Sequence, residues 1–284
     1  MSTVSALSQF VSWDGGCLFV SRGGGLVPVH AHYAIQLAFG SEHGLAFRPS
    51  ENAEWTSYDG ALIASRQPHS MDAAGPRACV VIFVEPETRE GRALAELHGD
   101  EGIVALSAGQ LGEAGPALFA AWREQHGLQA VADAAQRLIR SLTGTVAPSN
   151  VADERILRAT SYIRSHIDEP LTLEKVAEVA CLSPSRFRHL FVEETGMALR
   201  PYILWRRFLR VWELLMQGES LSSAAHAAGF ADAAHLTRTS RTMFGFAPSM
   251  MRIEPGARAQ AEGTAASSVM ANGALPGRSA PTYK

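Results

Sequence analysis

The chain has 284 residues, of which 46% are hydrophobic and 19% are charged, and its formal net charge at pH 7 is -3. This length accommodates two domains. The charge is unevenly distributed, with -6 on residues 1–152, +2 on residues 153–253 and +1 on residues 254–284. The acidic first part is not expected to contact nucleic acid, and +2 is too small for a protein that binds nucleic acid through charge alone.

Cysteine usage and hydropathy exclude further classes of protein. The three scattered cysteines, Cys17, Cys79 and Cys181, contain no CxxC motif, which argues against a disulfide framework or a cysteine metal cluster. No run of 18 apolar residues occurs, and the N-terminus lacks the basic and apolar regions of a secretion signal. We therefore predict a cytoplasmic protein that does not associate with membranes.

Short β-rich segments separated by glycine, proline and aspartate predict a small barrel or sandwich in the first part of the chain. They cover residues 18–20, 30–39, 45–48, 61–65 and 78–84. From Pro86 the periodicity becomes helical, and it predicts helices at residues 88–97, 111–125 and 128–142. The apolar stripes of these helices either cover the barrel or pair between two copies of the chain, and we predict a homodimer.

Polar side chains cluster within the predicted barrel. Alternation along a strand from His30 places His30, His32 and Gln36 on one face, and His69 follows a later strand. Three interpretations stay open: a divalent metal site for Zn, Fe or Ni, a metal-free effector pocket, or polar filling of the barrel. The arrangement resembles the cupin barrel, whose metal site uses a His-x-His pair, a glutamate and a later histidine. Here Gln36 replaces the glutamate, and an amide is a weaker ligand than a carboxylate.

A helix-turn-helix pattern occurs twice between Leu171 and Phe246, and the two copies are 48 residues apart. The first helix of each copy has apolar residues at i, i+3, i+4 and i+7. These residues are Leu173, Val176, Ala177 and Ala180 in the first copy and Leu221, Ala224, Ala225 and Ala228 in the second. Ser183 followed by Pro184 predicts the start of the next helix in the first copy, and Asp232 predicts it in the second.

Residues 201–217, between the two copies, predict one helix that is apolar around most of its circumference. Such a helix is about 25 Å long, which suits two recognition helices held about one DNA turn, near 34 Å, apart. Pro201 begins it and Gly218 ends it. Arg206, Arg207 and Arg210 are assigned to phosphate or structural contacts.

In a helix-turn-helix unit the second helix enters the major groove, so its outward residues are the candidates for DNA binding. The first copy presents Ser185, Arg186, Arg188 and His189, and the second presents Ala233, Ala234, Thr237, Arg238 and Arg241. Arginine can donate hydrogen bonds to guanine. The side chains of serine, threonine and histidine can reach other base edges, and alanine can contact the thymine methyl group. Arg207 completes the predicted DNA-binding set.

The two copies differ in their predicted cores. Thr239 and Ser240 occupy the places in the second copy that Leu190 and Phe191 occupy in the first. Buried polar groups weaken packing unless they find hydrogen-bond partners. We therefore predict that the second unit is the less stable and the less discriminating of the two.

Residues 153–253 contain the run LTLEKVAEVACLSPSRFRHLFVEETG, then Tyr202 and Arg207, the segment AAHAAGFADAAHLTRTSRTMFG and Pro248. Together these features resemble the AraC/XylS family of bacterial regulators. The resemblance implies two helix-turn-helix subdomains that bind adjacent major-groove segments of a double-stranded DNA operator. It also implies an attached domain that senses a small-molecule effector or mediates dimerisation, and contact with RNA polymerase if the protein is an activator.

We therefore predict an α+β protein with four regions. Residues 1–142 form a cupin-like β-barrel with following helices for effector binding and dimerisation, and residues 143–152 form a linker. Residues 153–253 form the all-α DNA-binding domain, and residues 254–284, rich in alanine, glycine and serine, form a disordered tail. The predicted function is sequence-specific transcription regulation without enzymatic activity. The alternative is a cupin-type metal-dependent enzyme with an accessory DNA-binding module.

Overall fold

The computed structural model describes residues 6–124, 126–144, 148 and 152–253. Its strands are β1 (Ala6–Trp13), β2 (Gly16–Arg22), β3 (Leu26–His30), β4 (Ile35–Gly40), β5 (Leu45–Arg48), β6 (Thr56–Tyr58), β7 (Gly60–Ile63), β8 (His69–Asp72), β9 (Ala78–Val84), β10 (Ile103–Leu106) and β11 (Met251–Ile253). Its helices are α1 (Arg89–His98), α2 (Ala108–Leu111), α3 (Ala114–Arg123), α4 (Leu128–Thr143), α5 (Glu154–Ser165), α6 (Leu173–Val179), α7 (Pro184–Thr195), α8 (Leu199–Met216), α9 (Leu221–Ala227) and α10 (Ala233–Phe244).

Two sheets build the N-terminal half of the described chain. The larger has the strand order β10-β7-β4-β9-β2-β1-β11, and the smaller has the order β3-β8-β5-β6. All pairings are antiparallel except that β11, from the end of the helical half, runs parallel to β1. The α+β class is therefore as predicted from the sequence, whereas the cupin-like character of the barrel stays a prediction.

The large sheet is covered on both of its faces. Leu18, Val80 and Ile82 pack in one core with α3 and α4, while Phe19 and Phe83 belong to the core of the helical half. Strands that are buried on both faces read as continuous apolar runs, and β9 has the sequence ACVVIFV. The N-terminal half is therefore docked against the helical half through this second face.

The predicted single strand at residues 30–39 is wrong. Strand β3 ends at His30 in the small sheet, and β4 begins at Ile35 in the large sheet. The chain crosses between the sheets at residues 31–34, where the backbone carbonyl groups of His32 and Tyr33 accept hydrogen bonds from residues 66 and 65. Alternation of polar and apolar residues continues through this crossing, so the pattern could not reveal the break.

The predicted helix at residues 111–125 is also divided. Helix α2 ends at Leu111 and α3 starts at Ala114, because Gly112 adopts a positive φ of 51° between them. Strands β1, β6, β8, β10 and β11 have no counterpart among the segments predicted from periodicity. Of the predicted linker and tail, residues 145–147, 149–151 and 254–284 lie outside the described residues.

The helical half contains the two predicted helix-turn-helix units, α6 with α7 and α9 with α10, joined by α8. The Ser183 hydroxyl accepts a hydrogen bond from the Arg186 amide, and the Asp232 carboxylate accepts one from the His235 amide, so both predicted caps form. Helix α8, which we call the strut, begins at Leu199, two residues before Pro201. Pro201 fits there because amides of the first helical turn have no intrahelical acceptor.

None of the described helices is both long enough and apolar enough to cross a membrane.

Candidate functional site

The first recognition helix, α7, presents its predicted DNA-binding residues to solvent. Ser185, Arg186, Arg188 and His189 are all exposed, whereas Phe187, Leu190 and Phe191 are buried against the rest of the unit. Residues separated by three or four positions share a helix face, so Ser185, Arg188 and His189 form one continuous polar surface. This surface has the donors that base edges and phosphates require.

The second recognition helix, α10, has a smaller reading surface. Ala234, Arg238 and Arg241 are exposed, but Ala233 and Thr237 are half-buried. The Thr237 hydroxyl donates a hydrogen bond to the Ala233 carbonyl group at 2.8 Å. Of the residues predicted on this helix, Arg238 and Arg241 are therefore the ones whose polar side chains are exposed and could contact DNA.

Arg207 lies on the strut, away from these surfaces. Its Nη1 donates a hydrogen bond to the carbonyl oxygen of Gly229 at 2.9 Å, in the turn between α9 and α10. Gly229 has a φ of 78°, and a Cβ atom there would lie 2.7 Å from the Arg207 Cζ atom. Arg207 thus supports the turn of the second unit, and its contact with DNA stays a prediction.

Ser240 removes part of the reason for expecting a weakly packed second unit. It is fully buried, and its hydroxyl donates a hydrogen bond to the Phe246 carbonyl oxygen at 2.6 Å. The aromatic group comes one turn later, since Phe244 stacks on Phe208 with ring centroids 4.1 Å apart. In the first unit the order is reversed, with Phe191 first and then Thr195, whose hydroxyl donates to the Phe191 carbonyl oxygen.

The structure brings the four predicted pocket residues together, although they lie on different segments. His30 ends β3, His32 lies in the crossing segment, Gln36 is in β4 and His69 begins β8. The imidazole rings of His30, His32 and His69, which we call the histidine cluster, have centroids 4.4 to 5.6 Å apart. Gln36 Oε1 lies 2.8 Å from His32 Nε2.

Burial determines the protonation of the histidine cluster. Desolvation lowers the pKa of His30, lowers that of His32 well below its usual value, and lowers that of His69 to about 3. Each ring further disfavours a second positive charge nearby, which adds to the effect at His32 and His69. The rings are therefore neutral at pH 7, the form in which imidazole can coordinate a metal.

A cavity of about 390 Å³ lies next to the histidine cluster, between the two halves of the molecule. Its walls from the N-terminal half include Phe19, Val81 and Phe83, and its wall from the helical half is formed by Phe244, Gly245, Phe246 and Met250. Gln36 and His30 contribute polar groups to the lining. The cavity thus borders the end of the second recognition helix, which sequence periodicity alone could not show.

Two buried carboxylates, Glu85 and Glu87, join the N-terminal half to the strut. Each is 1% exposed. Glu85 Oε1 accepts hydrogen bonds from Arg206 Nη1 and from Trp205 Nε1, the latter at 3.3 Å. Glu87 accepts one from the Tyr33 hydroxyl and one, at 3.0 Å, from the Tyr202 hydroxyl. Trp205, Arg206 and Tyr202 belong to the strut, so this carboxylate pair fixes the strut to the end of β9.

This carboxylate pair is not among the residues predicted from the sequence. A glutamate directly after a strand normally reads as a solvated residue, and Arg206 had been assigned to phosphate or structural contacts, of which the second is observed. Burial lowers the pKa of the Arg206 guanidinium, but the Glu85 carboxylate more than offsets this and holds that pKa above its usual value.

Comparison with known proteins places the helical half in a family. A helix-turn-helix domain model matches residues 176–253. The multiple antibiotic resistance protein MarA of Salmonella typhimurium is 32% identical over 93 residues, which cover 32% of this chain and 73% of MarA. The arabinose operon regulatory protein of Escherichia coli K12 is 30% identical over 105 residues, and this match spans only 35% of either chain.

The complete fold has a counterpart among solved structures. ToxT from Vibrio cholerae O395 aligns over 84% of this chain and 96% of its own, with a TM-score of 0.53 and 12% sequence identity. At that identity the likeness concerns the fold alone: a strand-rich N-terminal half followed by the helical half. The match to MarA, which covers 73% of that protein at 32% identity, shows that this chain belongs to the AraC/XylS family of DNA-binding transcriptional regulators.

Proposed function

We propose that a small molecule bound in the interdomain cavity controls how this regulator binds a double-stranded DNA operator. The observation that carries the proposal is the composition of the cavity walls, one from the barrel and one from the end of α10. A ligand shifts a conformational equilibrium only by its difference in affinity for the two states. A molecule that contacts both walls binds more tightly when the two halves are docked than when they are apart, because separation removes its contacts with one wall.

The lining indicates the chemical class of the effector. The described lining residues include no aspartate, glutamate, lysine or arginine, and most of their surface is apolar. The hydrogen-bonding side chains are those of Ser21, His30 and Gln36. An uncharged, largely apolar molecule with one hydrogen-bonding group fits this lining. ToxT, which shares the fold, has been solved with an unsaturated fatty acid bound, and this supports an apolar ligand here.

A fluorescent probe tests the cavity. N-phenyl-1-naphthylamine is uncharged and apolar, and we expect it to bind the wild-type protein at one site with enhanced fluorescence. Val81 is half-buried on β9 and lines the cavity, so Val81→Trp fills it and should weaken probe binding at least about tenfold, or about 1.4 kcal/mol. Val104→Trp is the matched control, because Val104 is a half-buried strand valine outside the cavity.

The regulatory part of the proposal is tested on DNA. A duplex selected by the protein from a random pool is titrated with and without the probe, and we expect its affinity to change for the wild type and for Val104→Trp but not for Val81→Trp. Control through this cavity would be contradicted if all three proteins bound the probe equally. It would also be contradicted if the affinity of the wild type for DNA were unchanged by the bound probe.

We expect the two recognition helices to contribute unequally to this selected duplex. Arg188→Ala should weaken binding by about 1–3 kcal/mol, or about 5- to 150-fold, as is typical for an arginine that reads a base. Arg238→Ala should have a smaller effect, because α10 has fewer free polar groups. Gel-shift titrations at one fixed salt concentration measure both. A larger loss from Arg238→Ala than from both Arg188→Ala and His189→Ala would reverse this order.

The relatives' roles support the prediction that the chain is not an enzyme, and the enzyme alternative now depends on the histidine cluster alone. Homodimerisation, contact with RNA polymerase and cytoplasmic location are carried forward as part of the proposal. Dimerisation agrees with the weak charge of the DNA-binding half, since two copies double the number of contacts to DNA.

A further inference from the structure

The three rings of the histidine cluster share one hydrogen-bonding pattern. The Nδ1 atom of His30 lies 2.9 Å from the Pro28 carbonyl oxygen, that of His32 lies 2.8 Å from the Ala34 carbonyl oxygen, and that of His69 lies 2.9 Å from the Gln67 carbonyl oxygen. A neutral imidazole has one N–H group, and a carbonyl oxygen can only accept. The hydrogen therefore resides on Nδ1 in His30 and His69, which leaves a lone pair on each Nε2. His32 takes the same form when its Nε2 faces a donor or a cation rather than the Gln36 oxygen.

Within the described part of the chain, at least one of these lone pairs lacks a hydrogen-bond donor. One ring nitrogen from each histidine lies within 4.8 Å of the others, and His69 is fully buried while its Nε2 has no hydrogen-bond partner in the described part of the chain. Leaving such a buried group unsatisfied is destabilising. The remaining polar group is the Gln36 amide, whose Oε1 faces His32 Nε2 at 2.8 Å. An oxygen and a nitrogen lone pair in contact repel unless the amide turns or a cation binds both.

We propose that the histidine cluster and Gln36 bind a divalent transition-metal ion, and that this ion is a second effector of the regulator. Three imidazole nitrogens and an amide oxygen are neutral donors that suit Zn²⁺, Fe²⁺, Co²⁺ or Ni²⁺, whereas Mg²⁺ and Ca²⁺ prefer carboxylate oxygens. The backbone carbonyl groups on Nδ1 supply the outer-shell contacts that orient metal-binding histidines. The regulatory role of the ion rests on the proposed function, but its binding does not.

The location of the cluster gives the ion a route to DNA binding. Gly245 ends the second recognition helix, and a Cβ atom there would lie 3.1 Å from His30 Nδ1 and 2.9 Å from the Pro28 carbonyl oxygen. The rings of His32 and Phe244 are stacked with centroids 6.4 Å apart. A shift of His30 or His32 on coordinating the ion would therefore press directly on the end of α10.

Cobalt provides the test of binding. Protein purified without a histidine tag and freed of metal is titrated with Co²⁺, and we expect visible d–d absorption that saturates at one equivalent and is displaced by Zn²⁺. His32→Ala and His69→Ala should abolish it, while His43→Ala, which removes an exposed histidine of the same half, should not. Gln36→Glu should bind Co²⁺ at least about tenfold more tightly, because a carboxylate is the stronger ligand.

Gln36→Glu keeps the test decisive if a histidine variant fails to fold, as judged by circular dichroism. Absence of the absorption band in both the wild type and Gln36→Glu would overturn the metal site, and so would an unchanged band in folded His69→Ala. Saturating Zn²⁺ should change the affinity for the selected duplex at least about fivefold in the wild type and not in His69→Ala. An unchanged affinity with Zn²⁺ bound would overturn the regulatory role of the ion, while the probe experiment on Val81→Trp separately decides the cavity.

Discussion

Arg206→Met is expected to lower the free energy of unfolding by about 3–5 kcal/mol, the typical loss when one partner of a buried ion pair is removed. The Glu85 carboxylate is 1% exposed, and among the described residues it would keep only the Trp205 indole as a hydrogen-bond donor. Arg164 lies 3.9 Å away and already pairs with Asp14 at 2.8 Å. Because methionine matches the length and apolar character of the arginine stem, the loss reports on the charge rather than on packing.

A second arginine of the strut, Arg210, provides the control for Arg206→Met. Arg210 is one turn from Arg206, but it is 30% exposed, and its partners Asp168, at 3.4 Å, and Glu213, at 3.2 Å, are 52% and 30% exposed. Because water can reach all three groups, Arg210→Met should cost only about 0–1 kcal/mol. The double variant Glu85→Leu with Arg206→Met should recover most of the stability, because neither charge is then left buried. Urea unfolding at pH 7 measures all four proteins. Equal losses from Arg206→Met and Arg210→Met would show that the Glu85 pair is not desolvated.

This ion pair bears on the proposed regulation because the strut joins the two recognition units. Three residues of one helix, Tyr202, Trp205 and Arg206, contact the carboxylate pair at the end of β9. Further contacts reach the first unit, where Arg92 of α1 pairs with Glu194 of α7 at 2.7 Å. Under the proposed function, a change in the barrel near β9 would therefore reach the strut and α7 through these buried contacts.

The helical half could be predicted closely because its signals are local. Ser183 and Pro184 mark the start of α7, Asp232 marks the start of α10, and caps of this kind act within one turn of the chain. The apolar spacing of α6 and α9 likewise reflects contacts between neighbouring residues. The reversed order of the aromatic and the hydroxyl residue, Phe191 then Thr195 in the first unit and Ser240 then Phe244 in the second, could not be predicted. It depends on which turn of the helix faces Phe208.

The barrel was predicted less well because its pairings are distant in sequence. The histidine cluster was anticipated from one strand, yet His30 and His32 belong to a strand end and a crossing segment. The prediction of proximity held because His30, His32 and Gln36 are close in sequence whichever way the chain bends. The parallel pairing of β1 with β11 and the interdomain cavity bring the N-terminal half together with the end of the helical half, and no local pattern carries that information.

Glu87 gives the second large effect, a dependence of stability on pH. Burial, reinforced by the nearby Glu85 carboxylate, raises the pKa of Glu87 from 4.5 to about 7, although hydrogen bonds from Tyr33 and Tyr202 oppose this. The folded protein thus holds this proton more tightly than the unfolded chain does. The contribution of the protonated carboxyl group to stability is complete below about pH 4.5 and is lost as pH rises through about 7, a total of about 3 kcal/mol.

Glu87→Gln isolates this effect from the opposing titration of the histidine cluster, whose lowered pKa values make the folded state less stable at low pH. The glutamine stays neutral and retains an oxygen acceptor, so the stability of the wild type relative to the variant should fall by about 3 kcal/mol between pH 4.5 and 7.5. Urea unfolding at several pH values measures the difference, with Glu101→Gln, at an exposed glutamate, as the control. A constant difference between wild type and Glu87→Gln would mean that Glu87 has the same proton affinity in the folded and unfolded chains, and the buried contact between β9 and the strut would then have to be open to water.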